Sequence, residues 1–234
     1  MVSASLSPEA IDRIRDIPLF SSLGAPGIAN LLAGASQLSV PRESAIFRQG
    51  DEADRFYIVL GGRVALSVID TAGRESVVEV VKPGDTFGES AIFDHGAFPF
   101  GARAIEDARL VNVPAESFLR NLTKDFSFVM LMLASMSAHL RFLVKQVGEL
   151  KLKTTEQRLG SYLLAQVGDG GGAARVHLPY DKKILASQLG MTPESLSRAF
   201  ARLRDLGVSS EGGSVTICDV SCLREFCKDF DFSE

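Results

Sequence analysis

Apolar residues recur every seven positions across residues 124–153, and this repeat constrains the fold more than any other feature of the chain. Two series, offset by three positions, form the repeat: Phe126, Leu133, Leu140 and Val147, and Val129, Met136, Leu143 and Leu150. A sustained a/d repeat predicts a long helix with one apolar seam. Met130 and Val144 add a second apolar line, which would give the helix a face for its own preceding domain. A helix packed only on its own domain is the alternative, but we expect a homodimer paired along the seam.

Short strands punctuated by glycine precede this helix, from about residue 38 to residue 114. Residues 64–69 alternate as a half-buried strand does, and turn signals such as Gly61-Gly62 and Gly84-Asp85 recur at intervals of roughly ten residues. This spacing predicts an antiparallel β-roll. Residues 8–33 carry apolar positions at helical spacing, so we expect short helices packed on the roll.

Composition narrows the class of protein and its compartment. The length of 234 residues suits one large domain or two small ones. The formal net charge of −4 argues against a protein that coats nucleic acid through its overall charge. Its three cysteines are too few and too clustered for a secreted disulfide framework. No signal-peptide pattern is visible, and the apolar run at 126–134 is about half of what a bilayer crossing needs. We therefore expect a cytoplasmic protein with no membrane partner.

Residues 182–204 hold the most specific pattern in the chain, that of a helix-turn-helix. Apolar, small and turn-forming residues stand where two helices that meet at a tight turn require them. They are Leu185, Leu189, Met191 and Leu196 at apolar positions, Ala186 and Ala199 at small ones, and Gly190 at the turn. Thr192 can cap the second helix, and Pro193 suits its first position. Gly212-Gly213 between two short apolar stretches predicts a hairpin, or wing, beside that helix.

The second helix of this motif would expose side chains able to read base edges. Arg198 can donate two hydrogen bonds to guanine, Glu194 can accept from the cytosine amino group, and Ser197 can donate, accept or touch a thymine methyl group. Six more side chains are candidates for contacts to the DNA backbone: Lys182, Lys183, Thr192, Ser195, Arg202 and Arg204. Residues 182–204 carry five basic side chains and one acid, so this segment is basic although the chain is acidic. The alternative is an ordinary surface helix with scattered charge.

With these residues in view, the chain resembles the CRP/FNR family of bacterial transcription regulators over nearly its whole length. The resemblance rests on Phe47-Arg48-Gln49-Gly50-Asp51, Gly88-Glu89-Ser90, the long helix and the winged helix-turn-helix. The stretch Glu194-Ser195-Leu196-Ser197-Arg198 resembles the recognition helix of the FNR side. The family implies an α+β fold with a β-roll of the cyclic nucleotide-binding type at 1–123, a dimerisation helix at 124–153 and a DNA-binding domain at 154–234.

The resemblance also implies the partners. The expected DNA is a two-fold palindrome with half-sites similar to TTGAT, read by two recognition helices about one turn of DNA apart. RNA polymerase is a further candidate partner, and a small molecule or a gas is the expected effector.

The effector pocket is where the chain departs from the family. The candidate pocket residues are Gly88, Glu89, Ser90, Phe98, Pro99, Phe100 and Arg103. Cyclic AMP receptors of the family carry an Arg-Ser pair about ten residues beyond the Gly-Glu to grip the cyclic phosphate, whereas this chain has the apolar stretch 97–101 there. An apolar pocket cannot replace the hydration of a phosphodiester, so cyclic AMP is disfavoured. Arg103 is expected to fill a structural position in the neighbouring strand instead.

Other branches of the family use iron–sulfur or haem cofactors. The chain lacks the N-terminal cysteine cluster of the oxygen-sensing FNR proteins, and three cysteines cannot supply a four-cysteine cluster. The stretch around Phe98 and Phe100 resembles that of DNR-type regulators, which respond to nitric oxide through haem. His95 stands near the position of a haem-ligating histidine in the carbon monoxide sensors, although a solvated loop histidine is the simpler interpretation. A haem-dependent gas sensor is therefore the alternative, and no other metal site is expected.

Two further classes of function fit the sequence less well. A metal-dependent oxygenase on a β-roll needs clustered histidine and carboxylate ligands, and this roll holds one histidine. The sequence also lacks a Ser-His-Asp, P-loop or H-E-x-x-H arrangement. We therefore expect no enzyme activity. A cyclic nucleotide-binding module without specific DNA binding would not need Glu194, Ser197 and Arg198 together.

Overall fold

The structure is a computed structural model that describes residues 2–93, 96–167, 171–178 and 181–228. The chain forms two compact units, Met1–Ala138 (unit 1) and His139–Glu234 (unit 2), and each is described by itself. The division falls inside one long helix. The predicted domain limits at residues 123 and 153 correspond to the ends of that helix and stay predictions.

Unit 1 combines short helices with antiparallel strands. The helices are α1 (Pro8–Arg15), α2 (Ala25–Leu31), α3 (Glu89–Phe93), α4 (Ala115–Lys124) and the first part of α5 (Phe126–Leu152), with a 3-10 turn at Pro18–Phe20. The strands are β1 (Val2–Ala4), β2 (Ser36–Val40), β3 (Ala45–Phe47), β4 (Arg55–Gly61), β5 (Val64–Ile69), β6 (Glu75–Val81), β7 (Thr86–Phe87), β8 (Gly101–Ala104) and β9 (Ala108–Pro114). Ser7 caps α1 by accepting a hydrogen bond from the Ala10 N–H at 3.2 Å. The helices expected within 8–33 are therefore confirmed.

The strands pair in two antiparallel sheets, in the orders β1-β2-β9-β4-β7 and β3-β8-β5-β6. Phe56 lies opposite Val113 in the β4–β9 pair, and Val64 lies opposite Ala104 in the β5–β8 pair. Gly62, between β4 and β5, has a φ of 73°, and a Cβ there would lie 2.4 Å from a backbone carbonyl oxygen, so only glycine fits this turn. The predicted antiparallel β-roll is confirmed.

Helix α5 packs on unit 1 through two residues one turn apart. Phe128 is fully buried and Met132 is 4% exposed. The Phe128 ring lies 6.2 Å from that of Phe20 and 5.9 Å from that of Phe118, and burying such a ring stabilises the fold by roughly 2–3 kcal/mol. The expectation that the line of Met130 and Val144 supplies this face is wrong: Met130 is 50% exposed, because Phe128 and Met132 take the inward positions.

Unit 2 begins with the rest of α5 and continues with a second α/β arrangement. It contains α6 (Thr155–Val167), β10 (Ala174–His177), α7 (Lys182–Gln188), α8 (Pro193–Leu203), a 3-10 turn at Arg204–Leu206, β11 (Val208–Glu211), β12 (Ser214–Ile217) and α9 (Val220–Phe226). The sheet order is β10-β12-β11. A capping box starts α6, where the Thr154 N–H donates to Gln157 Oε1 at 3.0 Å and the Gln157 N–H donates to Thr154 Oγ1 at 3.3 Å. Leu163, Leu185 and Leu203 are fully buried in the core of the unit.

The seam residues of α5 remain largely in contact with solvent. Val129 is half-buried, and the other seven range from 40% exposed at Leu143 to 76% exposed at Phe126. By length and apolar composition, α5 as a whole could also cross a bilayer. The apolar run at 126–134, which is shorter than the helix, had not indicated this. An exposed apolar face of this length calls for a partner.

Candidate nucleic-acid interface and effector pocket

Hydrogen bonds at the end of α7 close the turn of the helix-turn-helix. The Gly190 N–H donates to the Ser187 carbonyl at 2.9 Å, and the Met191 N–H donates to the Ala186 carbonyl at 2.9 Å. This is the Schellman pattern, which needs a residue with left-handed backbone geometry. Gly190 supplies that geometry with a φ of 63°. The turn predicted at this glycine is confirmed.

Helices α5 and α6 both approach this turn. A Cβ on Gly190 would lie 2.6 Å from Leu150 Cδ2 and 3.2 Å from Arg158 Nη1. Arg158 Nη1 donates to the Leu189 carbonyl at 2.6 Å and to the Gly190 carbonyl at 3.3 Å. Sequence reasoning missed Arg158, because a single arginine within a helix forms no local motif, and it assigned Leu150 only to the seam.

The first turn of α8 is capped and negatively charged. Thr192 Oγ1 accepts a hydrogen bond from the Ser195 N–H at 3.2 Å, and Pro193 occupies the first turn. The pKa of the Glu194 carboxyl is lowered, first by a hydrogen bond from its own backbone N–H and then by Thr192 and Arg198. Glu194 is therefore a carboxylate at neutral pH and can accept hydrogen bonds from a base.

The predicted base-reading side chains lie on the solvent-facing side of α8. Glu194, Ser197 and Arg198 are exposed, whereas Leu196 and Ala199 are buried in the core. The structure thus brings the three together on one face, as helical spacing requires. Because only the opposite face of α8 packs into the core, the face that carries these three side chains is accessible to a binding partner.

Two of these side chains also make local hydrogen bonds. Ser197 Oγ donates to the Pro193 carbonyl at 3.0 Å, and Arg198 Nη2 donates to Ser195 Oγ at 3.2 Å. The Ser197 hydroxyl keeps its acceptor lone pairs, and the Arg198 guanidinium keeps further N–H donors. Arg198 can still form a bidentate contact with guanine, while Ser195 orients it.

The candidate phosphate-binding side chains at the two ends of the motif are exposed. Lys182 and Lys183 begin α7, and Arg204 follows α8. Lys182 Nζ lies 5.1 Å from the centre of the Phe200 ring, a cation–π geometry that restricts the ammonium group. In the sequence, these basic residues therefore lie on both sides of the segment that carries the base-reading side chains.

Arg202 links α8 to the first turn of α6. Its Nη1 lies 2.6 Å from Glu156 Oε1, and its side chain is 73% exposed whereas that of Glu156 is 11% exposed. Burial alone would raise the pKa of Glu156, but hydrogen bonds from its own backbone N–H, from Thr155 and from Arg202 outweigh it, and the pKa is lowered. Arg202 would therefore share its guanidinium between a carboxylate and DNA. Sequence reasoning missed Glu156, whose partner lies in another helix.

The predicted wing is confirmed. Strands β11 and β12 pair antiparallel with Glu211 opposite Ser214, and the two residues between them form the turn. Gly212 has a φ of 54° and Gly213 a φ of 83°, the positive values that a two-residue hairpin turn of this hand requires.

The candidate effector residues Gly88 and Phe98 meet inside the β-roll. Gly88 has a φ of 90°, and a Cβ there would lie 3.0 Å from Phe98 Cε1. Phe98 is 2% exposed and stacks on Phe47 with ring centres 3.6 Å apart. Phe47 in turn lies 5.5 Å from Tyr57. An aromatic cluster therefore occupies this part of the roll.

The polar candidates of the roll have partners within it. Glu89, at the start of α3, accepts a hydrogen bond from Thr86 Oγ1 at 3.2 Å. Arg103 in β8 pairs with Glu43 through Nη1 and with Glu75 Oε1 through Nη2 at 3.5 Å. The Arg103 guanidinium is thus held by two carboxylates.

The remaining pocket candidates are more open to solvent. Ser90 and Pro99 are exposed, and Phe100 is partly buried against the core of the roll. His95, the candidate haem ligand, lies outside the described residues. Among the residues that the structure describes, no group of three or more His, Cys, Asp or Glu side chains could hold a metal ion.

Comparison with known proteins matches both units. The family description "Cyclic nucleotide-binding domain" matches residues 37–125, and "Crp-like helix-turn-helix domain" matches residues 157–226. The CRP-like cAMP-activated global transcriptional regulator of Mycobacterium tuberculosis is 26% identical over 206 residues, which are 86% of this chain and 92% of that protein.

Solved structures agree over nearly the whole chain. A structure from Ruegeria pomeroyi is 33% identical with a TM-score of 0.65, covering 94% of this chain and 100% of that one. The structure of DNR from Pseudomonas aeruginosa is 27% identical with a TM-score of 0.53, covering 95% of this chain and 100% of that one. With a β-roll of the cyclic nucleotide-binding type, a long helix and a Crp-like helix-turn-helix in this order, the chain belongs to the CRP/FNR family of transcription regulators.

Proposed function

We propose that the protein is a homodimer that binds a DNA palindrome with TTGAT-like half-sites and regulates transcription in response to an effector in its β-roll. The exposed set Glu194, Ser197 and Arg198 on a capped helix with a buried back face carries this proposal. Regulators of this family are in general soluble, cytoplasmic proteins, and we place this chain in the cytoplasm.

The exposed seam of α5 supports the dimer. Leu133 is 54% exposed and Leu140 is 62% exposed. Pairing two copies of α5 would bury these side chains, and each would stabilise the dimer by about 1 kcal/mol. A bilayer is a poorer partner, because the second half of α5 carries Arg141, Lys145 and Glu149. A two-fold dimer also relates its recognition helices by the symmetry of a palindrome.

The proposed contacts divide the work of recognition. Arg198 reads guanine, Glu194 reads the cytosine amino group and Ser197 completes the half-site. Lys182, Lys183, Arg202 and Arg204 hold phosphates together with Thr192 and Ser195, and these contacts add affinity without sequence preference. The net charge of −4 belongs to the rest of the chain, so it opposes nonspecific coating of DNA more than binding at a chosen site.

The roll favours an effector other than cyclic AMP. The phosphate of cyclic AMP would need a cation in the roll, and the candidate cation Arg103 is already paired with Glu43 and Glu75. The stacked Phe98 and Phe47 favour an apolar small molecule or a gas.

Haem is the alternative, with His95 as its candidate ligand. A Soret band in protein purified without air would support haem, and a spectrum without one after addition of haemin would reject it.

The effector acts on DNA binding through α5, which runs from one unit into the other. Phe128 and Met132 pack the first half of α5 into unit 1, and Leu150 contacts the turn at Gly190 in unit 2. A change in how two α5 helices pair would therefore alter the spacing of the two α8 helices.

Fluorescence anisotropy with labelled duplexes tests this function. Binding is measured under three conditions: with cyclic AMP, without it, and with protein purified without air. Under at least one of them, we expect a TTGAT palindrome to bind at least about 100-fold more tightly than a scrambled duplex of the same composition. Arg204→Ala is the matched control, since it removes a phosphate contact and should weaken both duplexes alike. Equal affinity for the two duplexes under all three conditions would contradict the proposal.

A further inference from the structure

A cavity of about 630 Å³ lies within unit 2, and the described residues that line it do not include the base-reading side chains Glu194, Ser197 and Arg198. Its walls come from the second half of α5, from α6, from the end of α7 and from α9. The volume is in the range of small-molecule sites. On α5 the lining residues Phe142, Lys145 and Glu149 fall between the seam positions, although the seam residue Leu150 also lines the cavity. A dimer paired along the seam would therefore leave most of this side of the helix accessible.

The described part of the lining is strongly basic. Five basic side chains line the cavity beside one acid, Glu149: Lys145, Lys153, Arg158, Arg224 and Lys228. Lys153 Nζ donates to Glu149 Oε1 at 3.0 Å and to Ser161 Oγ at 2.8 Å, and its side chain is only 8% exposed. Lys153 neutralises Glu149, and Lys228 Nζ lies 2.6 Å from Glu225 Oε2. The surplus of positive charge therefore rests on Lys145 and Arg158, and it favours an anion.

Arg158 connects the cavity to the helix-turn-helix. Its Nη1 bonds the carbonyls of Leu189 and Gly190, while its Nε is buried and makes no hydrogen bond among the described residues. A buried guanidinium N–H without an acceptor is unfavourable, so an anionic oxygen would stabilise it. Apolar side chains also line the cavity, including Phe142 and Leu164.

We propose that this cavity binds a small organic phosphate with an apolar body, and that the ligand reaches the turn of the helix-turn-helix through Arg158. A phosphate monoester carries nearly two negative charges at neutral pH, which suits a cavity lined by both Lys145 and Arg158 better than the single charge of a carboxylate does. The apolar body would lie against Phe142 and Leu164. This site would regulate DNA binding independently of the effector in the β-roll.

Isothermal titration of the full-length protein with phenyl phosphate tests the binding. We expect a Kd below about 1 mM, and weaker binding of inorganic phosphate and of phenol, which each supply half of the ligand chemistry. Lys145→Glu should weaken phenyl phosphate at least about tenfold, because it reverses a charge at the cavity wall. Lys151→Glu makes the same change on the same helix outside the cavity and should leave the affinity unchanged.

Each contrary result overturns the proposal. Absence of phenyl phosphate binding below about 1 mM, or equal loss in Lys145→Glu and Lys151→Glu, would reject the site. Inorganic phosphate binding as tightly as phenyl phosphate would reject the apolar body.

Nuclear magnetic resonance of the same titration tests the link to the turn. The amide signal of Gly190 should shift on binding, and the wing signals of Gly212 and Gly213 should not, since the wing does not line the cavity. A saturated titration in which the Gly190 signal stays in place would reject the link through Arg158. This readout needs no DNA, so it remains decisive if the protein does not prefer a palindrome.

Discussion

Substitution of Gly190 by alanine should lower the free energy of opening of the helix-turn-helix. The expected loss has two parts. The first part is backbone strain, because alanine at a φ of 63° costs about 1 kcal/mol. The second part is steric, since the new Cβ would lie 2.6 Å from Leu150 Cδ2 and force that side chain to move, at about 1–3 kcal/mol. The expected total is about 2–4 kcal/mol.

Two variants separate these parts. Gly212 in the wing has a φ of 54°, and a Cβ there would meet no heavy atom of the described residues within 4 Å, so Gly212→Ala should cost the strain part alone, about 1 kcal/mol. Leu150→Ala removes the atom that the new Cβ would meet at 2.6 Å and leaves only the weaker contact with Arg158 Nη1 at 3.2 Å. The double variant Leu150→Ala/Gly190→Ala should therefore regain most of the steric part, which appears as a coupling of about 1–3 kcal/mol in a double-mutant cycle.

Amide hydrogen exchange of peptides from α7 and α8 measures the free energy of opening in this unit, without interference from unit 1. Gly190→Ala should lower that free energy by clearly more than Gly212→Ala. Equal losses in the two variants, or additive effects of Leu150→Ala and Gly190→Ala, would refute the reasoning from close contact.

Three further outcomes are expected. Arg198→Ala should lower affinity for the palindrome by about 5- to 150-fold while light scattering still shows a dimer; unchanged affinity would contradict base reading. Leu140→Asp should weaken dimerisation at least about 100-fold and DNA binding with it, by sedimentation and anisotropy; loss of only one would contradict their coupling. Because the folded pKa of Glu156 is lowered, its contribution to stability is complete above the ordinary value of 4.5 and falls at more acidic pH. Glu156→Gln should flatten that acid dependence of unfolding, and an unchanged pH profile would contradict the role of the Arg202 pair.

The helix-turn-helix could be predicted from the sequence because its determinants are local. Gly190, Thr192 and Pro193 specify the turn, the cap and the first turn of α8 within four residues, and the periodicity around them specifies the buried side. The wing follows in the same way from Gly212 and Gly213.

Contacts between distant residues could not be predicted from such patterns. Arg158 bonds a carbonyl 31 residues away, and Arg202 pairs with a glutamate 46 residues away. The inward face of α5 shows the same difficulty, since Phe128 and Met132 follow the same helical period as the residues that stay exposed. Phe98 is apolar in either setting, so only its stacking on Phe47 showed that it belongs to the aromatic core.

The spacing of the two half-sites offers the most direct test of the central claim, that two α8 helices of one dimer read a palindrome. Anisotropy should be measured on the TTGAT palindrome and on a duplex with about five base pairs, half a turn of DNA, inserted at its centre. The insertion places the half-sites on opposite sides of the duplex, so affinity should fall to that of scrambled DNA, at least about 100-fold. Undiminished affinity for the inserted duplex would show that each α8 binds independently and would contradict the account.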